Sequence, residues 1–281
     1  MGRFSGTIAA FFLLWLCSAS FAYAEDLDLI NRPVNTSGLT GLLYTTSPFT
    51  MPARSVEIGL TGINENSLTP NYSLTEYAIL IAYGIDEHSE MAVRPVYWYR
   101  NMSSVEKSRG VGDTQLSYKR QIIPQPENSR LPAVAVLSTL IIPTADRTAA
   151  MNSVQHWGAS VGLSVGSEIN WAEHVVGVYG DAEMTVQDLS DTTVRDRFYT
   201  MNAGVVFPIS KFRNLQMFVE YSEIRSKDVV TVEGANYHGT TYGLRLVSQK
   251  FNMSFGTQFL HRNQEGYSNS NRIAGLVSYT F

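Results

Sequence analysis

Cysteine is nearly missing from this chain: Cys17 is the only one in 281 residues. Charge is scarce too, at 16% of residues, and both signs are mixed, with a formal net charge of −4. Past the opening residues, no apolar run approaches the roughly 20 residues of a membrane-spanning helix. Each scarcity removes a class of protein. Without cysteine there is no disulfide framework and no thiolate zinc site. His88, His156, His174, His238 and His261 show no close ligand spacing, so no metal or other cofactor is expected. Without a basic excess there is no electrostatic footprint for nucleic acid.

The opening residues read as a processing segment. Arg3 gives a positive start, Ile8 to Cys17 an apolar run, and Ala22-Tyr-Ala24 a small-residue cleavage pattern, so residues 1–24 are expected to be a signal peptide. Cys17 suits a lipid anchor poorly, because Trp15-Leu16 before it lack the small residues such cleavage needs. Residues 25–53 are irregular and carry Pro33, Pro48 and Pro52, which fit badly in a closed ladder. They are expected to form a periplasmic or lumen-dipping segment, with Gly38 to Ala53 placed to narrow a pore; a short extra strand is the alternative.

Residues 54–281 alternate with a period of two, the signature of strands with unlike faces. The last stretch is the clearest. Ile273, Gly275, Val277, Tyr279 and Phe281 share one face, and Arg272, Ala274, Ser278 and Thr280 the other, with Leu276 an apolar intruder. Trp157, Ala159, Val161, Leu163 and Val165 alternate with His156, Gly158, Ser160, Gly162 and Ser164. Phe218 interrupts the polar face of its strand, and Ala133 to Ile142 is apolar on both faces. About twelve such strands follow one another.

Nearly every strand pairs an apolar, aromatic-rich face with one of small, hydroxyl, amide and charged residues. Alternation alone fits a secreted sandwich as well as a barrel. The signal segment, the missing cysteine, the even strand length and the terminal Phe281 favour the barrel. The expected fold is all-β: a transmembrane antiparallel up-and-down barrel of about 12 strands in the outer membrane, with short periplasmic turns. Longer outer loops are expected near Asn64–Asn71, Met102–Arg109, Pro143–Asn152, Val186–Val194, Arg225–Asn236 and Asn263–Ser270. The final strand ending in Phe281 resembles the terminal strand of bacterial outer-membrane barrels, which implies the barrel-assembly machinery as a partner beside the membrane lipids.

Two short patterns carry a further resemblance. Gly110-Val-Gly112-Asp113 precedes Leu116-Ser-Tyr-Lys119, and Ile142-Pro143-Thr144-Ala145-Asp146 follows an apolar strand. Both resemble the family named for the meta-pathway of phenol degradation, with Ala145 where that family has glycine. The resemblance implies a porin-like barrel that moves small, often aromatic, compounds.

Glu76, Glu90, Arg94, Arg100, Asp113, Lys119, Glu220, Arg245 and Arg272 fall on the polar faces. They are candidates for lumen selectivity; alternatively they pair with one another and fill the lumen, since buried charges need partners. Gly158, Gly162, Gly204, Gly243 and Gly256 on the same faces are expected to leave lumen volume. His156 and Ser160 share a strand face, but four strand residues span roughly 13 Å, too far for direct proton transfer. No catalytic residue is therefore expected. The reading is a channel passing small solutes, hydrophobic or aromatic compounds among them. The alternatives are an outer-membrane lipid-modifying enzyme and a closed barrel acting through partners.

Overall fold

The computed structural model describes residues 32–68, 71–102, 105–126, 129–145, 157–171, 174–188, 195–209, 212–226, 236–248, 250–262 and 269–281. The signal-peptide reading of residues 1–24 and the candidate His156 lie outside the described residues.

The described chain is β-sheet in one antiparallel ladder. Its segments are β1 (Val56–Leu68), β2 (Asn71–Asp86), β3 (Ser89–Arg94), β4 (Val96–Met102), β5 (Val105–Val111), β6 (Thr114–Ile123) and β7 (Ala133–Ile142). They continue with β8 (Gly158–Trp171), β9 (His174–Asp188), β10 (Arg195–Ile209), β11 (Phe212–Ser226), β12 (Tyr237–Val247), β13 (Phe251–Arg262) and β14 (Ser270–Thr280). β1 pairs with β14 from Glu57–Thr280 to Ser67–Ser270, which closes the sheet on itself. β3 and β4 both pair with β2 and are two parts of one strand, broken at Pro95, which has no N–H to give the ladder. β5 and β6 are likewise one strand, shifted at Gly112-Asp113. Counted this way, the wall is a closed barrel of 12 antiparallel strands.

The faces follow the alternation. Large apolar side chains point outward all round, among them Leu60, Ile79, Leu163, Tyr242, Leu244 and Phe255. A belt of that extent far exceeds the apolar patch of a water-soluble monomer; it is the lipid-facing surface of a transmembrane barrel. Trp171, 73% exposed, and Phe281, 70%, stand near the end that carries the tight turns. Asp86–Ser89, Trp171–His174 and Ile209–Phe212 turn at that end, where β1 starts and β14 stops. Short turns mark the periplasmic rim.

Several boundaries differ from the sequence reading. The loop expected near Met102–Arg109 is largely a hairpin of β4 and β5. The loop expected near Asn64–Asn71 is mostly β1, running to Leu68. Each error has one cause. Above the hydrocarbon both faces of a strand are wet, so the ladder continues while the apolar alternation that reveals it stops. Asn64 shows this: its amide donates across to Thr75 at 2.8 Å.

A candidate functional site: the plugged lumen

Residues 33–51 lie inside the barrel, with Arg32 at its rim and Pro52 and Ala53 exposed. They fold back on themselves, with bridges Val34–Thr40 and Gly41–Thr46. Gly38 makes the turn at φ 89°, a left-handed conformation that glycine adopts without strain. Val34, Leu39, Leu42, Leu43, Phe49 and Met51 are buried against inward-facing Leu80, Ala92, Leu137, Val206, Phe218 and Leu276 of the wall. The apolar intruders on otherwise polar strand faces are therefore the seats of this plug. Two of the five glycines expected to leave lumen volume make room for it instead. A Cβ at Gly204 would lie 2.6 Å from Leu42, and one at Gly256 2.8 Å from Leu43. The other three are filled from the wall: Gly243 by Phe218, Gly162 by Glu183 and Gly158 by Ile141 and Gln187.

Polar contacts fix the plug in register. Its backbone amides point at carboxylates from four parts of the wall. Glu90 accepts from Thr40 and Met51, each at 2.8 Å. Glu220 accepts from Tyr44 at 3.0 Å and Thr45 at 2.7 Å. Asp181 accepts from Thr46 at 2.7 Å, and Glu57 from Val34 at 3.3 Å. Cations hold the carbonyls: Lys119 donates to Thr40 and Ser47, and Arg245 to Gly41. Lys119 also pairs with Glu90 at 2.8 Å, both fully buried. Hydrogen bonds to a charged partner contribute about 1.5–3 kcal/mol each, so this set offsets much of the entropy cost of ordering the segment, and the burial of Leu42, Leu43 and Phe49 adds to it. At the periplasmic end, Arg32 binds both oxygens of Glu168, at 2.6 and 2.7 Å. Tyr179 donates to the same carboxylate at 2.9 Å, and the Arg32 guanidinium lies 3.9 Å from the Phe49 ring centre. Tyr179 is thus an inward residue and no part of the outer aromatic girdle.

Above the plug the lumen opens into a vestibule of about 310 Å³. Thr36, Ser37, Leu39, Tyr44 and Thr46 of the plug form its floor. Its walls carry hydroxyls and amides, with Arg94, Arg272 and Glu183 between them. Arg94 pairs with Glu76, and Glu65 takes both Arg262 and Arg272, the latter at 2.7 Å. Ser160 donates to Glu183 at 2.8 Å. Burial pushes the Tyr44 phenol well above its ordinary range, so it stays neutral.

The nine residues read from the sequence as lumen candidates separate into groups. Glu90, Lys119, Glu220 and Arg245 hold the plug. Glu76, Arg94 and Arg272 sit at the vestibule. Arg100 is half-buried on β4, opposite Ser108. Asp113 lies at a wall junction, where it accepts from the Ala145 amide at 3.3 Å. That junction joins the two short motifs: the Thr144 hydroxyl donates to the Gly112 carbonyl at 3.0 Å. Gly112 is required because a Cβ there would meet the Trp98 indole at 2.4 Å. Gly110 pairs with Trp98 in the ladder, and Pro143 lies between the end of β7 and Thr144. β5, above this junction, has a ladder partner on one edge alone among the described strands. Glu57, Glu65, Asp181, Glu183 and Glu168 were absent from the candidates, although Glu57, Thr61 and Glu65 share a period-two face that could have revealed the first strand's part.

No sequence-family model matches the chain, and no curated protein does. Solved structures match its shape. The COG4313 outer membrane channel from Pseudomonas putida F1 matches with a TM-score of 0.61 and 11% identity, over 83% of this chain and 98% of that one. The KdgM porin, solved with disordered oligogalacturonate, gives 0.51 and 9%, over 80% and 99%. LpxR from Salmonella typhimurium gives 0.52 and 8%, over 80% and 99%. At these identities the likeness is one of fold: this chain is an outer-membrane β-barrel.

Proposed function

We propose that the protein is an outer-membrane channel for small solutes whose lumen is gated by residues 32–53. The observation that carries this is the way the lumen is closed. Wall side chains alone do not fill it; a single tethered segment does, held by discrete hydrogen bonds to wall residues all round, Glu57, Glu90, Lys119, Asp181, Glu220 and Arg245 among them. Removing that segment leaves a 12-stranded wall around a polar interior, whose lining carries both charge signs. The likeness to channel and porin folds supports the reading without fixing a solute.

The burial of the plug also favours a second reading, a permanently closed barrel that acts through partners. Planar-bilayer recording separates the two. A chain lacking residues 34–51, folded as judged by heat-shifted gel mobility, is expected to pass steady current at least tenfold above the intact chain. If the deleted chain folds and stays silent, the closed-barrel reading replaces the channel. Lipid modification is tested by Ser160→Ala, which is expected to leave the outer-membrane lipid profile unchanged.

A further inference from the structure

The vestibule has a chemistry of its own, distinct from the plug contacts beneath it. Its wall is made of short hydroxyl and amide side chains from many strands, Ser117, Thr139, Thr200, Asn202 and Ser222 among them. Several donors there are buried without a partner. The Ser222 hydroxyl has none, nor has the Nε–H of Arg94 or of Arg272. Ser222 is 5% exposed and Arg94 8%, so these are enclosed groups at the cavity wall rather than solvated surface. Those atoms are shielded from the cavity itself, so the groups a solute can reach are the hydroxyls and amides of the lining.

The charge balance narrows the class. Among the described residues around the cavity, Arg94, Arg262 and Arg272 stand against Glu65, Glu76 and Glu183, so the charges sum to zero, with Glu65 shared by two of the arginines. Directly below lie Asp181 and Glu220, whose carboxylates are turned toward the plug. An anion entering the vestibule gains no net charge from this set of described residues and meets two further carboxylates below. A hydrocarbon would cover the hydroxyls and amides and take away the water that serves their remaining donors and acceptors. A neutral solute with several hydroxyls satisfies both donors and acceptors at once. The cavity, about 310 Å³, suits a single small ring of that kind.

We propose that the vestibule is a binding site for a small, uncharged, polyhydroxylated solute of monosaccharide size. This deepens the channel reading and rests on it for the solute's onward route. Because Thr36, Ser37 and Tyr44 form the floor, the bound solute touches the plug itself.

Titration calorimetry on the full chain in detergent, with D-xylose, benzoate and toluene as probes, tests it. D-xylose is expected to bind, benzoate and toluene to bind more weakly or not at all. Thr200→Val with Thr139→Val keeps the shape and removes two hydroxyls of the lining. That double variant is expected to bind D-xylose about tenfold more weakly with unchanged heat-shifted gel mobility. Absence of D-xylose binding, tighter binding of benzoate or toluene, or an unaltered D-xylose affinity in the double variant each overturns the proposal. The recording on the chain lacking residues 34–51 reports separately on the channel. Current without D-xylose binding removes the solute class alone, and D-xylose binding without current removes the channel and keeps the site.

Discussion

The lower and upper halves of one lumen are built from the same strands and behave as different materials. Below, Leu80, Leu137, Phe218 and Leu276 meet Leu42, Leu43 and Phe49 in an apolar core, and Glu90, Lys119 and Glu220 beside it have partners in the wall or on the plug. Above, hydroxyls and amides surround open space. A barrel interior of this width is thus not one environment. Filling it with a second chain segment turns a wall face into a hydrophobic core, whereas leaving it open keeps the face polar. The difference predicts that substitutions below affect stability and closure, and that substitutions above affect what binds.

The largest effect is expected from Glu90→Ala. It strands a fully buried Lys119 and removes the acceptor for two plug amides, so it should destabilise the plugged state by about 3–5 kcal/mol. The midpoint of heat-shifted gel mobility should fall and residues 33–51 should become open to protease; an unchanged midpoint would show that the lower lumen does not depend on this pair. Glu220→Gln keeps the shape and loses the charge that draws in the Tyr44 and Thr45 amides, with an expected cost of about 1.5–3 kcal/mol. Amide exchange at those two positions should speed up while exchange in the wall strands does not. Equal acceleration throughout the barrel would mean that plug and wall open as one unit.

Arg32→Ala releases the periplasmic end of the plug. The arginine is partly exposed, so the expected loss is only about 1–2 kcal/mol, read as brief current openings in bilayer recordings. Openings as frequent as those of Glu220→Gln would place the main restraint at the rim instead of the centre. The smallest effect belongs to the upper half: Thr200→Val should leave the unfolding midpoint within about 0.5 kcal/mol of the parent. A larger loss would mean that the vestibule wall also carries stability.

Much of this was legible along the chain. Ala133–Ile142 was read with its observed ends, and Ile273 to Phe281 with its outward face. Strand ends were legible only where lipid imposes alternation, so Val105–Arg109 and Asn64–Leu68 were read as loop. Of the site, the polar-face charges were visible and their partners were not. Nothing in the period around Glu220 distinguishes an acceptor for plug amides from a charge facing water. The intruders Leu276 and Phe218 were the available signal, since an apolar side chain aimed into a watery pore has no reason to be there unless something covers it.

By itself the order of residues determined which side of each strand meets lipid, because a two-residue period needs nothing beyond neighbouring positions to declare itself. It also determined that no disulfide ties the wall together, since Cys17 is the one cysteine of the chain and precedes the first strand. Tertiary structure alone decided that residues 33–51 occupy the lumen, that Glu57, Glu90, Asp181 and Glu220 converge on their amides, and that a polar cavity remains above them. Those contacts join positions up to 176 residues apart, and only closure of the barrel brings such positions within hydrogen-bonding distance.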